Sequence, residues 1–416
     1  MSNSLARDDR GQLKVCMIAY TFYERDPRVQ QYAAALRDRG DTVDIIALNR
    51  NGLLPATEVL DGVNVYRIQP RVMDEAGLRS YVVRLLRFLV SALFFLRRKD
   101  HERRYDVVHV HNVPDFLVFA SLFAKLRGAK VILDIHDLLP ELYAGKFRAT
   151  HGSIGFKLLV LIERCSAAFA NHVIVANHVW RDRLAARSSR VDKCSVARNY
   201  PNLRIMRNAA AARREKTSGV FVLTYPGSLN WHQGVDVAVR AFARVADQMP
   251  DTEFHIYGEG PEKPALIRLA AELGMADRIR FYDFVSTHEV ARIMAETDLA
   301  IEPKRAKSAF GTEALSTKLL EFMAVGTPII ASRTKCHEYY YDDSLLQYYD
   351  NDDEDQLAAQ MLRLRNDPVL RNDLVSRASA YVRENNWDIR KWEYLDLIDE
   401  LAGTKTKARC RRFAEA

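Results

Sequence analysis

Residues 310–332 read FGTEALSTKLLEFMAVGTPIIAS, and the interpretation of the chain starts from this stretch. Glu313 and Glu321 stand on either side of seven residues, ALSTKLL. Residues 319–323 have helical character, and the Gly-Thr-Pro sequence at 326–328 stops the helix. Residues 329–331 form a short apolar run of the kind that becomes a buried strand. The stretch therefore predicts a helix that leads into a strand.

The start of this helix has the chemistry of a phosphate site. Ser316 and Thr317 are suited to cap it, and the free backbone N–H groups there carry a partial positive charge that Lys318 reinforces. Glu321 lies about one turn further on, at a reach that suits a ribose, and Glu313 could meet a sugar hydroxyl. An ordinary amphipathic helix with a cap and one Lys–Glu pair would also explain the spacing.

The pattern of two glutamates seven residues apart, followed by G-x-P and two branched residues, resembles the donor-site motif of family 4 glycosyltransferases. That family consists of retaining enzymes of the GT-B fold. The resemblance implies an α/β protein with two Rossmann-like doubly wound domains that face a cleft.

The bulk composition agrees with a globular protein of this size. The 416 residues suit two domains, and 48% hydrophobic with 28% charged residues is the composition of a folded chain. Five scattered cysteines without C-x-x-C spacing favour a reducing compartment and argue against a zinc site. The polar start MSNSLARDDRGQ predicts no signal peptide.

Positive charge is concentrated in the first half. Residues 1–216 carry 36 Lys and Arg against 22 Asp and Glu, whereas the whole chain has a net charge of +7. This imbalance suggests an anionic partner on the N-terminal side. A membrane surface or a phosphate-bearing acceptor is favoured over nucleic acid, because the chain has no zinc-finger or RNP signature.

The N-terminal half opens as a doubly wound sheet. A buried strand over 13–19, a loop, a helix over 30–39 and a strand over 42–48 follow one another. The loop at the carboxyl end of the first strand lacks glycine, so it is not a dinucleotide fingerprint. It carries D-P-R-V, as one subset of the family does. Arg28 in that loop could contact the acceptor or a donor phosphate, or it could be an ordinary solvated arginine.

Two histidine-bearing strands follow, VVHVHN and VILDIHDLLPEL. His109 and His111 point to the same face of their strand, but no third ligand stands at a convincing spacing for a metal. Both stretches resemble the corresponding strands of the family. In that family, the histidine that matches His136 lies beside the donor sugar. A packing histidine is the alternative. A further strand is predicted over 167–176.

The segment from Tyr81 to Leu96 is the most apolar part of the chain, and Arg97, Arg98 and Lys99 follow it directly. It is shorter than the roughly 20 residues that span a bilayer and contains Arg84 and Arg87. It is either an interfacial helix on an anionic membrane or a core helix of the N-terminal domain.

The second half repeats the strand–helix alternation. The GEGP turn at 258–261 matches the family, and its glycines let the backbone approach a ligand. The loop at 227–234 departs from it, because Ser228 and Gln233 stand where many relatives have an arginine and a lysine for the diphosphate. Lys318, Lys304 and Arg305 are the candidate replacements.

The resemblance assigns a role to each candidate residue. Catalytic residues are His136 and Glu313; donor-binding residues are Ser316, Thr317, Lys318, Glu321, Gly258, Glu259, Phe284, Val285 and Lys304; acceptor-side residues are Arg28, His111, Asp137 and Glu141.

The predicted domain boundaries follow the composition. Residues 1–205 form the acceptor-side domain, 206–218 (MRNAAAARREKTS) the linker, and 219–385 the nucleotide-sugar domain. Residues 386–401 form a final helix that could cross back to the first domain, and 402–416 a basic tail.

The predicted activity is a retaining, metal-independent transfer of a sugar from a nucleotide-sugar donor to a glycan or lipid-linked acceptor. It would serve cell-surface polysaccharide or glycolipid synthesis, in the cytoplasm or peripherally on the inner face of the plasma membrane. No cofactor other than the donor is expected. A nucleotide-sugar 2-epimerase of the same fold, or a non-catalytic nucleotide-sugar-binding protein, remains an alternative.

Overall fold

The computed structural model describes residues 11–71, 78–147, 150, 152–213, 219–350 and 352–404. The chain divides into two compact units. The N-terminal unit contains the described residues up to 140, residues 157–197 and the described residues from 390 onward, and the C-terminal unit contains residues 141–156 and 198–389.

The N-terminal unit is built around one eight-stranded sheet in the order β3-β4-β2-β1-β5-β6-β7-β8. All neighbouring strands are parallel except the antiparallel pair β3–β4. The strands are β1 Lys14–Ala19, β2 Thr42–Arg50, β3 Thr57–Leu60, β4 Val63–Arg71, β5 Val107–His111, β6 Lys130–Ile135, β7 His172–Val175 and β8 Cys194–Val196. The first six helices of the described residues are α1 Pro27–Arg39, α2 Leu78–Arg103, α3 Leu122–Leu126, α4 Leu139–Phe147, α5 Ile154–Phe169 and α6 His178–Arg187. Residues 141–156, with most of α4 and the start of α5, belong to the C-terminal unit.

Two predicted boundaries in this half differ from the structure. Helix α1 begins at Pro27, three residues before the predicted start, because the Asp26 side chain accepts a hydrogen bond from the Val29 N–H and proline suits the first helical position. The strand predicted over 167–176 is shorter, since α5 continues to Phe169 and β7 starts only at His172. Its alanines favour the helix over the strand.

The C-terminal unit contains a six-stranded, fully parallel sheet in the order β11-β10-β9-β12-β13-β14. Its strands are β9 Phe221–Pro226, β10 Thr252–Tyr257, β11 Ile279–Tyr282, β12 Leu299–Glu302, β13 Ile329–Ser332 and β14 Gln347–Tyr349. The remaining helices in the described part of the chain are α7 Leu203–Ala211, α8 Val235–Val245, α9 Lys263–Glu272, α10 Thr287–Glu296, α11 Ala309–Glu313, α12 Thr317–Val325, α13 Lys335–Tyr340, α14 Glu354–Asn366, α15 Pro368–Glu384 and α16 Trp387–Ala402.

Each sheet winds outward in both directions from a central strand. The direction of winding changes between β1 and β5 in the N-terminal unit and between β9 and β12 in the C-terminal unit. Open α/β sheets bind ligands at the carboxyl ends of the strands beside such a change. The prediction of two Rossmann-like doubly wound domains is thereby confirmed.

The predicted linker is partly helical. Helix α7 runs from Leu203 to Ala211 and therefore includes six residues of the segment 206–218. The Asn202 side chain caps its start, Leu203 and Met206 are buried, and alanine is the strongest helix former. The small side chains of the segment are typical of a linker, but residues 206–211 form part of a packed helix. Residues 214–218 lie outside the described part of the chain.

The apolar segment predicted as either interfacial or core lies in α2. One face of this helix is buried in the N-terminal unit through Leu85, Phe88, Ala92 and Leu96, while the opposite face is exposed. No helix in the described part of the chain is long and apolar enough to cross a membrane.

The final helix α16 packs on the N-terminal unit from residue 390 onward. The Tyr394 ring lies 4.3 Å from the Tyr32 ring, centroid to centroid, and its hydroxyl is 3.0 Å from His109 Nδ1. Arg39 Nη1 also donates to Asp399 Oδ1 at 2.7 Å. The last helix is therefore part of the core beneath the histidine-bearing strand β5.

We expect Tyr394→Ala to destabilise the N-terminal unit by about 3 to 5 kcal/mol, because it removes a buried aromatic ring and leaves a cavity. Urea unfolding followed by tryptophan fluorescence measures the loss. Trp392→Ala, at a position 43% exposed on the same helix, is the control and should shift the midpoint much less. Equal shifts in the two variants would contradict the packing role of Tyr394.

Candidate functional site

A cavity of about 430 Å³ lies in the C-terminal unit at the carboxyl ends of β9 and β10, beside the start of α12. Seven of the predicted donor-binding residues line it: Gly258, Glu259, Phe284, Val285, Thr317, Lys318 and Glu321. The other lining residues are Pro226, Gly227, Ser228, Tyr257, Val290 and Met294. Thr317, Lys318 and Glu321 of the motif and Gly258 and Glu259 of the GEGP turn are thus brought together in one cavity.

Two glycines allow the loops after β9 and β10 to approach each other. A Cβ atom on Gly258, which has φ +141°, would lie 1.9 Å from the Gly227 carbonyl oxygen. A Cβ on Gly227 would come within 3.0 Å of Lys318 Nζ and of the Tyr225 hydroxyl. The Leu229 N–H donates to the Glu259 carbonyl at 2.8 Å, which joins the same two loops. Only glycine leaves the cavity wall open at these positions.

The cation of the cavity is held by a buried carboxylate. Lys318 Nζ lies 3.2 Å from Glu302 Oε2 and 4.7 Å from the centre of the Tyr225 ring. Burial opposes the charge of Lys318, but Glu302 and Tyr225 together raise its pKa above the ordinary value. Burial likewise opposes the charge of Glu302, and Lys318 with Lys304 nevertheless lowers its pKa. Both groups are therefore charged at neutral pH.

Glu321 has a different environment. Burial raises the pKa of this half-buried carboxyl from 4.5 to about 6, with Lys318 acting against the shift and Glu302 adding to it. It is ionised at pH 7 and able to accept hydrogen bonds from hydroxyl groups in the cavity.

Glu302 and Tyr225 were missed by the reasoning from sequence. Both belong to strands that read as continuous apolar runs, FVLTYP and LAIE. The available signal was the position of Glu302 at the last residue of a buried strand, immediately before the motif. Burying an ionised carboxylate is costly unless a cation pairs with it, so a glutamate at this position predicts a cation nearby.

The other candidate cations do not line the cavity. Lys304 is buried and its Nζ donates to the Ala314 carbonyl at 2.7 Å, which holds the segment before α12. Arg305 lies 4.9 Å from the Trp231 ring centre and pairs with Asp236 at 2.5 Å. Lys304 therefore lies outside the lining of this cavity, and its ammonium group binds the backbone just before α12.

The first residues of the motif are buried beside α12. Ser316 occupies the N-cap position of α12, but its side chain makes no capping hydrogen bond there. Glu313 ends the short helix α11 and is 2% exposed, with its Oε1 3.9 Å from Lys335 Nζ. Thr317 is the residue at the start of α12 that reaches the cavity. Neither Ser316 nor Glu313 is among the lining residues of that cavity.

In the N-terminal unit the predicted residues meet around Asp134, at the carboxyl end of β6. Arg28 binds this carboxylate through two hydrogen bonds, Nε to Oδ2 at 2.9 Å and Nη2 to Oδ1 at 2.7 Å. His111 Nδ1 and His136 Nε2 lie 3.2 Å and 3.1 Å from Oδ2. Burial opposes the charge of Asp134, but Arg28 and His136 hold its pKa well below the ordinary value.

Arg28 is therefore not an ordinary solvated arginine. It is 8% exposed, and its Nη1 donates to the Ala197 carbonyl at 2.7 Å in addition to the pair with Asp134. His111 is buried, and burial with the adjacent His109 lowers its pKa well below the ordinary value. His136 is the more accessible of the two imidazoles, with 19% of its side chain exposed.

His109, His111 and Asp134 form a group whose ligand atoms all lie within 4.8 Å of one another, which the sequence had not predicted. The geometry alone would suit a metal ion. However, the guanidinium of Arg28 already binds both oxygens of Asp134, and the His109 Nδ1 lies against the Tyr394 hydroxyl. A cation is thus already present beside the carboxylate.

The loop after β6 is anchored by Asn112. Its Oδ1 accepts from the His136 backbone N–H at 2.7 Å, and its Nδ2 donates to the Asp137 carbonyl and to Asp115 Oδ1, both at 2.8 Å. Burial raises the pKa of Asp115 to about 7, although Asn112 acts against the shift. Glu141, predicted on the acceptor side, is fully buried at the start of α4.

Comparison with known proteins identifies the class. Residues 26–199 match the family described as "Glycosyl transferase 4-like domain", and residues 220–367 match "Glycosyl transferases group 1". A curated relative is the phosphatidyl-myo-inositol mannosyltransferase of Mycolicibacterium smegmatis, 26% identical over 391 residues, which cover 91% of this chain and 90% of the relative.

The solved structures show the same fold. Sucrose-phosphate synthase from Thermosynechococcus elongatus superposes with a TM-score of 0.77 at 17% identity, over 95% of this chain and 100% of that one. Anabaena HepE in complex with UDP-glucose has a TM-score of 0.65 at 15% identity, over 94% and 99% of the two chains. The two family matches show that the chain is a glycosyltransferase, and the solved structures show that it has the GT-B fold.

We expect Arg28→Ala to destabilise the N-terminal unit by about 3 to 5 kcal/mol, because it leaves the buried Asp134 carboxylate without its cation. The double variant Arg28→Met/Asp134→Asn should recover a large part of the loss. Thermal unfolding measures both. Arg190→Ala, which removes an exposed ion pair with Asp192, is the control and should leave the midpoint unchanged. No recovery in the double variant would contradict the pairing.

The raised pKa of Glu321 predicts a dependence of stability on pH. The folded state holds this proton more tightly than the unfolded chain, so the contribution to stability is fully present below pH 4.5 and is lost as the pH rises through about 6. Relative to Glu321→Gln, the melting temperature of the wild type should therefore fall across that interval. Glu272→Gln, at an exposed position of α9, is the control. A constant difference between wild type and Glu321→Gln would contradict the shift.

Proposed function

We propose that this protein is a retaining glycosyltransferase that works without a metal ion. It moves a sugar from a nucleotide-diphosphate donor to a glycan or lipid-linked acceptor in cell-surface polysaccharide or glycolipid synthesis. The observation that supports the proposal most is the cavity at the start of α12. It combines Lys318, Glu321 and the glycine-containing loops after β9 and β10, beside the change in winding direction of the sheet.

The cavity has a place for each part of the donor. The diphosphate would rest on the backbone N–H groups at Thr317 and on Lys318, since a helix start and a fixed cation favour an anion. Glu321 would accept hydrogen bonds from the ribose hydroxyls. The base would lie near Phe284 and Val285, of which Phe284 is 76% exposed and offers an aromatic face.

Charge stabilisation by the protein replaces the metal in this proposal. As the bond to the leaving diphosphate breaks, negative charge develops on its oxygens. Lys318 is held in the charged form by Glu302, and its position needs no reorganisation when that charge appears. Preorganised cations and amides of this kind lower the barrier of such a step.

The proposed reaction keeps the configuration at the sugar carbon. The bond between the anomeric carbon and the phosphate oxygen breaks, and the acceptor oxygen forms its bond on the same face. The acceptor proton goes to the leaving phosphate, so no protein nucleophile is needed. By the family resemblance, we propose Glu313 and His136 as the residues that hold the donor sugar. The His136 backbone N–H donates to Asn112 Oδ1, and its imidazole lies against Asp134.

The nature of the relatives supports the donor and acceptor classes. HepE was solved with UDP-glucose, and the mycobacterial relative is named for transfer of mannose to phosphatidyl-myo-inositol. A nucleotide sugar as donor and a lipid-linked or glycan acceptor are therefore the classes we propose here. The enzyme would act in the cytoplasm, peripherally on the inner face of the plasma membrane.

A non-catalytic nucleotide-sugar-binding protein is the second candidate. Ser228 lines the cavity and Gln233 lies outside its lining. By the family resemblance, these two residues stand where many relatives have cations for the diphosphate. This leaves Lys318 as the cation among the lining residues. Loss of positive charge would weaken catalysis more than it weakens binding, since the charge develops in the transition state.

A panel of nucleotide sugars screened by thermal shift in the absence of metal tests the proposal. A ligand that binds the folded state raises the melting temperature by mass action, and one donor should do so clearly. Lys318→Ala and Glu321→Ala should each reduce its affinity at least about tenfold, the loss expected for one charge-assisted hydrogen bond. Arg268→Ala and Glu272→Ala, at exposed positions of α9, should leave the affinity unchanged.

Mass spectrometry of the reaction with the identified donor separates the two candidates. Release of the nucleoside diphosphate with transfer to an acceptor supports the transferase. Tight donor binding with no release across lipid and glycan acceptors would favour the binding protein. No shift with any donor would contradict both.

A further inference from the structure

Helix α2 has an exposed apolar stripe opposite its buried face. Val83, Leu86, Val90 and Phe94 are 64%, 48%, 50% and 58% exposed, and their spacing places them on one side of the helix. Monomeric proteins expose single apolar residues routinely, but an ordered row of four on one helix marks an interaction surface.

The stripe continues onto the neighbouring helix α3. Phe94 on α2 and Leu126 on α3 line the same surface depression of about 780 Å³, together with Arg97 and Phe123. Leu126 is 75% exposed and Leu122 is 39% exposed. The Arg97 guanidinium lies 4.7 Å from the Phe123 ring centre and joins the two helices. We refer to Val83, Leu86, Val90, Phe94, Leu122, Leu126, Arg87, Arg97 and Arg98 as the α2–α3 surface.

The charge of this surface is positive. Arg87, Arg97 and Arg98 are exposed on the same side of α2 as the apolar stripe. Within the described ranges, no carboxylate pairs with any of the three. The two acidic residues of α2 are already neutralised, because Glu102 pairs with Lys99 at 3.0 Å and the buried Asp100 with Arg127 at 3.0 Å.

We propose that the α2–α3 surface docks on an anionic lipid bilayer, with α2 lying in the plane of the interface. The aliphatic and aromatic stripe would enter the boundary between head groups and acyl chains, and the arginines would contact the anionic head groups. A nucleic acid would use the arginines but would have no contact for valine and leucine side chains. Docking would bring the enzyme to a lipid-linked acceptor, and this purpose rests on the proposed function.

Sedimentation of the full chain with sucrose-loaded vesicles tests the inference. Vesicles of phosphatidylcholine alone are compared with vesicles in which about a third of the lipid is phosphatidylglycerol. Wild type should bind the anionic vesicles, and less so as salt is added. Arg97→Gln/Arg98→Gln should weaken partitioning about thirtyfold, and Val90→Ser/Phe94→Ser at least about tenfold.

Ile267→Ser/Arg268→Gln is the matched control, because it makes the same kind of change at exposed positions of α9 and should bind like wild type. Wild type that stays in solution with anionic vesicles would overturn the inference. Loss of binding in the arginine variant alone would indicate attraction to any polyanion and would also overturn it. Self-association without vesicles, abolished by Val90→Ser/Phe94→Ser, would assign the surface to a second copy instead.

The assay contains neither donor nor acceptor, so its outcome is independent of the proposed transfer. Thermal shift of the surface variants with the identified donor completes the separation. Vesicle binding without donor binding would support the docking surface and contradict the proposed function. Donor binding without vesicle binding would support the proposed function and contradict the docking surface.

Discussion

The candidate site depends on the buried pair between Lys318 and Glu302. Placing a lysine in the wall of a cavity costs desolvation free energy, and the carboxylate at the end of β12 offsets that cost by keeping the ammonium charged. The Tyr225 ring and the absence of a side chain on Gly227 leave room for the lysine between the two strands. The same carboxylate adds to the rise in the pKa of Glu321, so one residue influences both polar groups of the cavity.

Each of the two units contains a buried carboxylate that is paired with a cation. In each, a carboxylate at the carboxyl end of a buried strand binds a cation from a helix start: Asp134 binds Arg28 of α1, and Glu302 binds Lys318 of α12. The N-terminal pair is bidentate and adjoins two imidazoles, one of which, His136, is partly exposed. The C-terminal pair leaves the lysine at the cavity wall. One arrangement orients neighbouring side chains, and the other presents a charge.

The sequence predicted the two-sheet architecture because continuous apolar strands alternating with helices have few other solutions. It was less successful where composition and packing disagree. Residues 206–218 are predicted as the linker, yet burial of Leu203 and Met206 packs the first six of them in a helix. Lys304 is predicted as one substitute for the cations that the loop at 227–234 lacks, and in the structure its ammonium binds the Ala314 carbonyl. Such choices depend on which partner lies nearby in space, which spacing along the chain does not contain.

What the sequence by itself determined is local: the helix that Gly326 ends, and the glycines of the GEGP turn that let the backbone approach its neighbours. Each follows from the conformational preference of one or two residues. Only the tertiary structure decided which strand ends meet, and hence that Glu302 pairs with Lys318, that Arg28 is buried against Asp134, and that one face of α2 is left exposed. Parallel sheets join residues far apart in sequence, so the partner of a buried charge is set by strand order and register, and not by neighbouring residues.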